Sequence, residues 1–295
     1  MLKNIIRALR LPFITASILP FIFGSLISRQ NFNLAGFAGG FFAVIFTHLS
    51  ANLINDYFDS QSGADWQDRN FYGFFGGSKL IQDNLLPEKF YLGVALFCAG
   101  LAFICVILLS AILKSGFVLL IYLLIIVLSW QYTAGPLKFS YNYLGEFFIF
   151  LLFGPALVMG GYFIQTGIFP DLKSFLMSLP FGFFTAAILF ANEVPDFQGD
   201  KNSGKHNLVS LCGVKRAFIF YYVLVALGLL AIFFCVSLRY LSGIYTLSFL
   251  LIILALKAGN ILRSDYSDKI KLIRSSRLTI NMQMLASIIL ILGLL

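Results

Sequence analysis

The chain has 295 residues, of which 59% are hydrophobic and only 12% are charged. Soluble domains carry about 25% charged residues, so this chain has too little polar surface to cover a water-facing globule. The composition disfavours a soluble enzyme, a disordered protein and a nucleic-acid-binding protein. The net charge of +8 is interpreted as a sign of membrane topology. The four cysteines have no CxxC or Cys/His metal spacing, which predicts reduced thiols.

Nine apolar runs follow one another along the chain, each near the length of a membrane helix. They cover approximately 11–28, 35–54, 91–111, 116–132, 143–164, 174–193, 216–236, 241–257 and 279–295. We expect the first run to be a retained helix rather than a signal peptide, because it contains two prolines and lacks a convincing cleavage site. The predicted fold is an all-α integral membrane protein with nine transmembrane helices, forming a single domain over residues 1–295.

The distribution of positive charge tests this count. With nine spans, 17 of the 21 Lys and Arg residues fall on the side that holds the N-terminus. Cytoplasmic connections carry the excess of positive charge, so the N-terminus is predicted to be cytoplasmic, in the inner (plasma) membrane of a prokaryotic cell. Two connections on that side, roughly 55–90 and 193–215, are long and hold most of the acidic residues. Long connections in compact proteins are often functional.

These two connections match each other at an offset of about 140 residues. Ala51-Asn52 aligns with Ala191-Asn192, Asp56 with Asp196 and, after a one-residue insertion, Asp59 with Asp200. Both segments then read D-x-x-S-G, and both follow an apolar run on the same side of the membrane. We interpret the match as an internal repeat with motif regions at about 51–90 and 191–215; chance similarity is the alternative.

The repeat predicts two matched stripes of oxygen ligands. If the helices continue, Asn52, Asp56 and Asp59 share one helix face. The second stripe contains Asn192, Asp196 and Asp200, although Pro195 could kink or break that helix. Carboxylates at the end of an apolar helix are costly unless paired or metal-bound, and hard oxygen ligands suit Mg²⁺ and its phosphate partners. The stripes favour a Mg²⁺–diphosphate site at the cytoplasmic mouth of a helical bundle over solvated surface carboxylates.

Basic and glycine residues accompany the stripes. Lys79 and Lys205 are candidates for holding diphosphate oxygens, and ordinary positive-inside charge is the alternative for both. Three glycines before Lys79 would let backbone N–H groups approach an anion; they are Gly73, Gly76 and Gly77. His48, one turn before Asn52, is predicted to be a buried, hydrogen-bonded side chain rather than a general base.

Longer motifs surround these residues. The first is Asn55-Asp56-Tyr57-Phe58-Asp59, followed by Gly63 and Gly76-Gly77-Ser78-Lys79; the second is Asn192-Glu193-Val194-Pro195-Asp196, followed by Asp200, Gly204 and Lys205. They resemble the UbiA superfamily of intramembrane aromatic prenyltransferases. Between them lie Tyr132-Thr133-Ala134-Gly135-Pro136, Gly145-Glu146, Phe153-Gly154-Pro155 and Gln165-Thr166-Gly167. This middle segment is similar to the menaquinone branch, which uses 1,4-dihydroxy-2-naphthoate as acceptor.

The resemblance implies a nine-helix bundle around a central cavity capped by the acidic motifs. It implies that polyprenyl diphosphate is the donor and that two Mg²⁺ ions are held by Asn55, Asp56, Asp59, Asp196 and Asp200. It also implies transfer of the polyprenyl group to dihydroxynaphthoate with release of CO₂ and diphosphate. Near the N-terminus the sequence departs from the family pattern, so either Arg7 or Arg10 matches the family's arginine. The segment from Asp65 to Tyr72 has no assigned role.

The expected site combines these residues. Lys79 and Lys205 would neutralise the departing diphosphate, and Asn52, Asn55 and Asn192 would bind substrate. Tyr132 would orient the diphosphate or the acceptor, or it would anchor the chain at the interface. The polyprenyl tail is expected to leave between helices into the bilayer. The alternatives are a prenyltransferase for another acceptor, such as 4-hydroxybenzoate, and, more distantly, a transporter, although acids at one membrane face argue against transport.

Overall fold

A computed structural model describes residues 2–295, and within them the chain forms helices and no β-strand. The α-helices are α1 Leu2–Ala8, α2 Thr15–Leu26, α3 Leu34–Ser62, α4 Glu88–Leu113, α5 Phe117–Trp130, α6 Gly145–Leu151, α7 Leu157–Thr166, α8 Leu172–Asn202, α9 Leu208–Cys212, α10 Ala217–Ser237, α11 Ile252–Ser264 and α12 Lys269–Leu292. A π-helical turn, Leu152–Ala156, joins α6 to α7, and a 3-10 segment, Gly243–Leu251, leads into α11. The all-helical prediction is confirmed for these residues.

Seven helical runs in the described chain are long and apolar enough to cross a membrane. They are Leu34–Ser62, Glu88–Leu113, Gly145–Thr166, Leu172–Asn202, Ala217–Ser237, Gly243–Ser264 and Lys269–Leu292. Two shorter apolar runs, Leu11–Leu26 and Phe117–Trp130, lie at the remaining predicted spans. The chain is an integral membrane protein.

Three helices extend well beyond the apolar runs that predict them. α3 continues to Ser62 and α8 to Asn202, so both acidic stripes lie on helices and not in connections. α12 begins at Lys269 instead of the predicted 279, with Asp268 capping it through the N–H groups of Ile270 and Lys271. Hydropathy marks only the apolar part of a helix, whereas backbone hydrogen bonding continues into its polar turns.

α8 is the most buried of the long helices. It packs against α6, α10, α12 and the π-helical turn. The helix runs through both Pro180 and Pro195 without a break, so the proline in the second motif does not interrupt the stripe. Neighbouring helices and local adjustments allow proline inside a membrane helix. The side chains of Asn192, Asp196 and Asp200 are therefore presented from one continuous helix.

α2 and α7 approach each other closely. A Cβ on Gly24 would lie 2.1 Å from the carbonyl oxygen of Val158, so only glycine fits at this crossing. Small residues let membrane helices come into backbone contact, and that contact holds α2 against α7. α2, α3, α5, α7 and α8 enclose a cavity of about 370 Å³. It opens toward the end of the bundle where α3 and α8 finish, which we call the motif end.

Candidate active site

The cavity is polar at the motif end and apolar along the rest of its length. Its apolar wall includes Phe21, Val44, Leu109, Ile121, Leu157 and Phe163. Most of the predicted site residues line its polar end: Asn52, Asn55, Asp59, Lys79, Tyr132, Asn192, Asp196, Asp200, Lys205 and Arg10. Two predicted residues, Arg7 and Asp56, are not among the side chains that line it.

The two aspartates of the first motif have different surroundings. Asp59 lines the cavity and accepts hydrogen bonds from the Tyr141 hydroxyl at 2.8 Å and from the Lys205 ammonium at 3.3 Å. Asp56 is buried behind it, where it accepts the Ser78 N–H at 3.1 Å and pairs with Arg10 at 3.4 Å. The cavity face of α3 therefore carries Asn52, Asn55 and Asp59, which differs from the predicted stripe by one position.

The second motif presents its predicted face to the cavity. Asp196 accepts the Gly76 N–H at 2.8 Å, and Asp200 accepts the Asn207 side-chain amide at 2.9 Å. The Oδ1 atom of Asn192 is buried and has no hydrogen-bond partner in residues 2–295. The glycine-rich segment does bind an anion through a backbone N–H, as its composition suggests, but in this structure the anion is the carboxylate of the other motif.

Lys205 connects the two motifs. Its Nζ atom lies 3.3 Å from Asp59 Oδ2 and 4.0 Å from Asp200 Oδ1. Burial alone would lower the pKa of Lys205, but the carboxylates of Asp59 and Asp200 outweigh it and hold that pKa well above its usual value. The side chain is therefore a permanent cation between α3 and α8.

Lys79 reaches the cavity but is already paired. Its Nζ donates to the Asp65 carbonyl oxygen at 2.7 Å and to Asp65 Oδ1 at 3.2 Å. Burial raises the pKa of the Asp65 carboxyl to about 7, although Lys79 acts in the opposite direction. A Cβ at Gly77 would lie 2.4 Å from Asp65 Oδ2, and the φ of +71° there also favours glycine. Asp65, which the sequence analysis left without a role, is thus the partner that holds Lys79.

A second anchor ties the loop after α3 to α12. Asp68 accepts hydrogen bonds from Lys269 at 2.8 Å and from the Tyr72 hydroxyl at 2.9 Å. Although burial acts to raise it, these bonds and one from Asn70 lower the pKa of Asp68 to about 2. Lys269 also lines the cavity. Lys269 is not among the predicted site residues, and only its charge in the polar stretch before the last predicted span pointed to it.

The structure separates the two candidate arginines. Arg10 lines the cavity and pairs with Asp56. Arg7 pairs instead with Asp83 at 3.4 Å and lies over the Phe71 ring, 3.8 Å from its centroid. Arg10 is therefore the arginine placed to meet a substrate.

Two further side chains complete the polar end. Tyr132 lines the cavity, and burial together with the nearby Glu193 carboxyl raises the pKa of Tyr132 well above its usual value, so its phenol keeps its proton. His48 is buried and bonded on both ring nitrogens, to Ser17 Oγ at 2.6 Å and Asn52 Nδ2 at 3.0 Å. This matches the predicted buried, hydrogen-bonded histidine.

The side chains at the motif end carry oxygen atoms that could be ligands for Mg²⁺. Among residues 2–295, no group of three or more His, Cys, Asp or Glu side chains is arranged to hold a metal ion by itself. Mg²⁺ usually keeps several waters and takes one or two carboxylates together with substrate phosphates, not a closed protein cage. Asn55, Asp59, Asp196 and Asp200 offer hard oxygen atoms of this kind around one cavity mouth. The residues fit a Mg²⁺ site that a bound diphosphate would complete.

Comparison with known proteins identifies the family. The profile of the UbiA prenyltransferase family matches residues 17–282. The chain belongs to the UbiA prenyltransferase family. The sequence resemblance to this family is thereby confirmed over most of the chain, including both acidic motifs.

One relative is named for its reaction and another for its domain. The 1,4-dihydroxy-2-naphthoate octaprenyltransferase of Bacillus subtilis (strain 168) is 29% identical over 206 residues, covering 69% of this chain and 64% of that protein. The UbiA prenyltransferase domain-containing protein 1 homolog of Drosophila melanogaster is 30% identical over 246 residues, covering 81% of this chain and 66% of that protein. The chain thus spans slightly less than two thirds of each relative's length.

Solved UbiA structures share the fold. The apo UbiA homolog from Aeropyrum pernix K1 superposes with a TM-score of 0.69 at 17% identity, covering 95% of this chain and 96% of that one. The UbiA homolog from Archaeoglobus fulgidus bound to GPP and Mg²⁺ gives a TM-score of 0.67 at 17% identity, covering 98% and 99%. This UbiA chain therefore has the helical architecture of a protein solved with a prenyl diphosphate and a divalent cation.

The Lys205 bridge makes a prediction. Lys205→Met should destabilise the protein by on the order of 3 kcal/mol, because Asp59 and Asp200 would lose a shared buried cation. Thermal unfolding of the purified protein in detergent measures the loss. Lys201→Met, an exposed lysine one turn earlier, is the matched control and should melt like wild type. Equal melting temperatures for both variants would show that the bridge does not hold the motifs together.

Proposed function

We propose that the protein transfers a polyprenyl group from polyprenyl diphosphate to 1,4-dihydroxy-2-naphthoate, with release of CO₂ and diphosphate, in menaquinone biosynthesis. One observation carries the proposal: Asp59, Asp196, Asp200 and Lys205 converge at the polar mouth of an otherwise apolar cavity. A diphosphate needs cations and hard ligands, whereas a prenyl tail needs apolar walls. This cavity offers both along one axis.

The polar mouth binds and neutralises the diphosphate. Asn55, Asp59, Asp196 and Asp200 would hold two Mg²⁺ ions, with Asp56 supporting them from behind through its bonds to Arg10 and Ser78. When bound, Mg²⁺ supplies Lewis-acid neutralisation of the leaving group's charge. Lys205 and Arg10 add fixed positive charge at the same mouth. Lys79 contributes mainly by holding the loop after α3 through Asp65, since its ammonium already has two acceptors.

The apolar wall protects the reacting carbon. Ionisation of an allylic diphosphate leaves a carbocation that water would capture, so the cavity must be dry where the C–O bond breaks. Aromatic rings, among them Phe13, Phe75 and Phe153, line the cavity, and the faces of such rings stabilise a nearby cation. Tyr132, with its proton retained, is placed to donate a hydrogen bond to the diphosphate or the acceptor.

The acceptor is the less constrained half of the proposal. Support for dihydroxynaphthoate comes from the middle-segment motifs and from the Bacillus subtilis relative named for that acceptor. The animal relatives are as similar to this chain as the Bacillus subtilis protein is. Another quinone precursor, such as 4-hydroxybenzoate, is therefore the second candidate for the acceptor. A transporter fits less well, because the acids gather at one end of the cavity instead of its middle.

The first test is a mass-spectrometric assay of purified protein with Mg²⁺, a polyprenyl diphosphate and both acceptors in one mixture. We expect a prenylated dihydroxynaphthalene that has lost CO₂ (detected as the naphthoquinone after oxidation in air), and no product in excess EDTA because the diphosphate would keep its charge. A prenylated hydroxybenzoate would replace the acceptor but keep the reaction class. An intact donor in the presence of Mg²⁺ and each acceptor would contradict the proposed function.

The second test addresses the metal-binding role of α8. Asp196→Asn keeps the side-chain shape and an oxygen for the Gly76 N–H but removes the charge. We expect turnover to fall at least 10²-fold, since loss of one electrostatic contact to a leaving group costs about that much. Asp83→Asn, an exposed acid at the same end of the bundle, is the control and should turn over normally. Full activity of Asp196→Asn would remove this residue from the metal site.

We also propose that the seven long and two short apolar runs together make nine spans in one domain built on an internal repeat, with the N-terminus cytoplasmic. The matched positions of the two acidic helices and the asymmetry of Lys and Arg support this. A topology reporter fused after Leu295 should then read the side opposite the N-terminus. A reporter signal from the same side would mean an even number of spans.

A further inference from the structure

Two buried glutamates near the motif end have no part in the proposed diphosphate site. Glu146 lies in the first turn of α6 and Glu193 lies on α8, with 3% and 6% of their surfaces exposed. Acids this deeply buried in membrane helices are costly to keep, so they mark functional sites by default. Neither is bonded to a lysine or an arginine in the described chain.

The two carboxyl groups are neighbours, close enough for the charge of Glu146 to act on Glu193. The Oε2 atom of each is buried and has no hydrogen-bond partner among residues 2–295. Two bare carboxylates in this arrangement would repel each other strongly in a low dielectric. A single shared proton removes the repulsion and satisfies both oxygens. The carboxyl of Glu193 lines the cavity and its Oε2 atom has no donor in the described chain, so it is open to a proton donated by a ligand.

Only one member of the pair meets the cavity. Glu146 is fixed from behind, since its Oε1 accepts the Leu208 N–H at 2.9 Å. Glu193 lines the cavity one turn before Asp196, next to Asn192, whose Oδ1 is buried without a partner. The charged and titratable groups nearest the pair are Tyr132, Asp200 and Lys205. The Oδ1 atom of Asn192 and the Oε2 atom of Glu193 thus accept no hydrogen bond from the described residues. A ligand that carries hydroxyl groups would supply the missing donors.

We propose that Glu193, backed by Glu146, is the base that accepts a hydroxyl proton from the aromatic acceptor, and that Asn192 receives a second hydroxyl of the same ring. This inference rests on the proposed function and identifies the acceptor as a hydroxylated arene bound against α8. The diphosphate and the acceptor then occupy neighbouring positions along one helix face. The order of residues on α8 places the ring deeper than the diphosphate.

The proposed step transfers the allylic group from the diphosphate oxygen to a ring carbon. The allylic C–O bond breaks and its electron pair leaves with the diphosphate. The ring carbon forms the new C–C bond while the hydroxyl proton moves to the glutamate pair, and the O–H electrons become the C=O of a dienone. Loss of CO₂ from the substituted carbon of a carboxylated ring restores aromaticity. On an unsubstituted carbon, transfer of its C–H proton to the ring oxygen does the same, and the proton on Glu193 is released to solvent. In the first case the proton on Glu193 returns to the ring oxygen.

The test compares Glu193→Gln with wild type, using geranyl diphosphate, Mg²⁺ and 1,4-dihydroxy-2-naphthoate. Both prenylated arene and prenyl alcohol are quantified. Without the base, the ring attacks slowly while donor ionisation continues, so water captures the cation. We expect arene product to fall at least 10²-fold, with donor consumption retained and prenyl alcohol as the main product. Glu193→Asp should recover part of the arene product, and Glu146→Gln should lose less than Glu193→Gln.

Glu88→Gln is the matched control, because Glu88 accepts a bond from Ser60 Oγ at the same end of the bundle but does not line the cavity. It should behave as wild type, and a melting curve checks that each variant is folded. Arene product within threefold of wild type in Glu193→Gln would overturn the inference. Equal loss of donor consumption and arene product would also overturn it, since the residue would then act on the donor or the fold. A wild-type protein that forms no arene product at all would overturn the proposed function itself, and the inference with it.

Discussion

The architecture of the site depends on compensating four carboxylates that two apolar helices bring to one end of a membrane bundle. A buried carboxylate without a donor or a cation would be too costly to keep. Each aspartate therefore takes its partner from a different segment: Arg10 and Ser78 for Asp56, Tyr141 and Lys205 for Asp59, Gly76 for Asp196, and Asn207 for Asp200. These bonds fold the loops after α3 and α8 inward over the cavity, so the acids organise the cap that covers them.

The same bonds explain how the site can accept a highly charged ligand. Lys205 and the Gly76 N–H are the groups a diphosphate would use, yet both are held by aspartates. A diphosphate with its divalent cations brings both signs of charge. It can take over the donors while its cations take over the carboxylates, and no buried charge is left uncompensated at any stage. The internal pairs thus keep the ligand-free site folded without blocking it.

Hydropathy and charge predict the apolar runs and the two motifs, but not the contacts that join them. α3 and α12 extend beyond the apolar segments that predict them, because backbone hydrogen bonds form whether the side chains are apolar or polar. Lys79 has a suitable sequence position for a phosphate ligand, yet Gly77 at φ +71° turns the loop so that Asp65 meets it first. Arg10 and Arg7 are equivalent in the sequence, and only the pairing of one with Asp56 and the other with Asp83 separates them.

Two kinds of carboxyl group gather at the motif end, and their surroundings give them different chemistry. Asp59 and Asp200 lie against Lys205, whose positive charge offsets theirs. Glu146 and Glu193 lie close to each other, and the Oε2 atom of each is buried without a hydrogen-bond partner in the described chain. A prenyl transfer needs both functions, since one substrate must lose an anion while the other loses a proton. Asp196 and Asp200 near the end of α8, with Glu193 one turn deeper on the same helix, would give the two substrates separate positions along a single helix face.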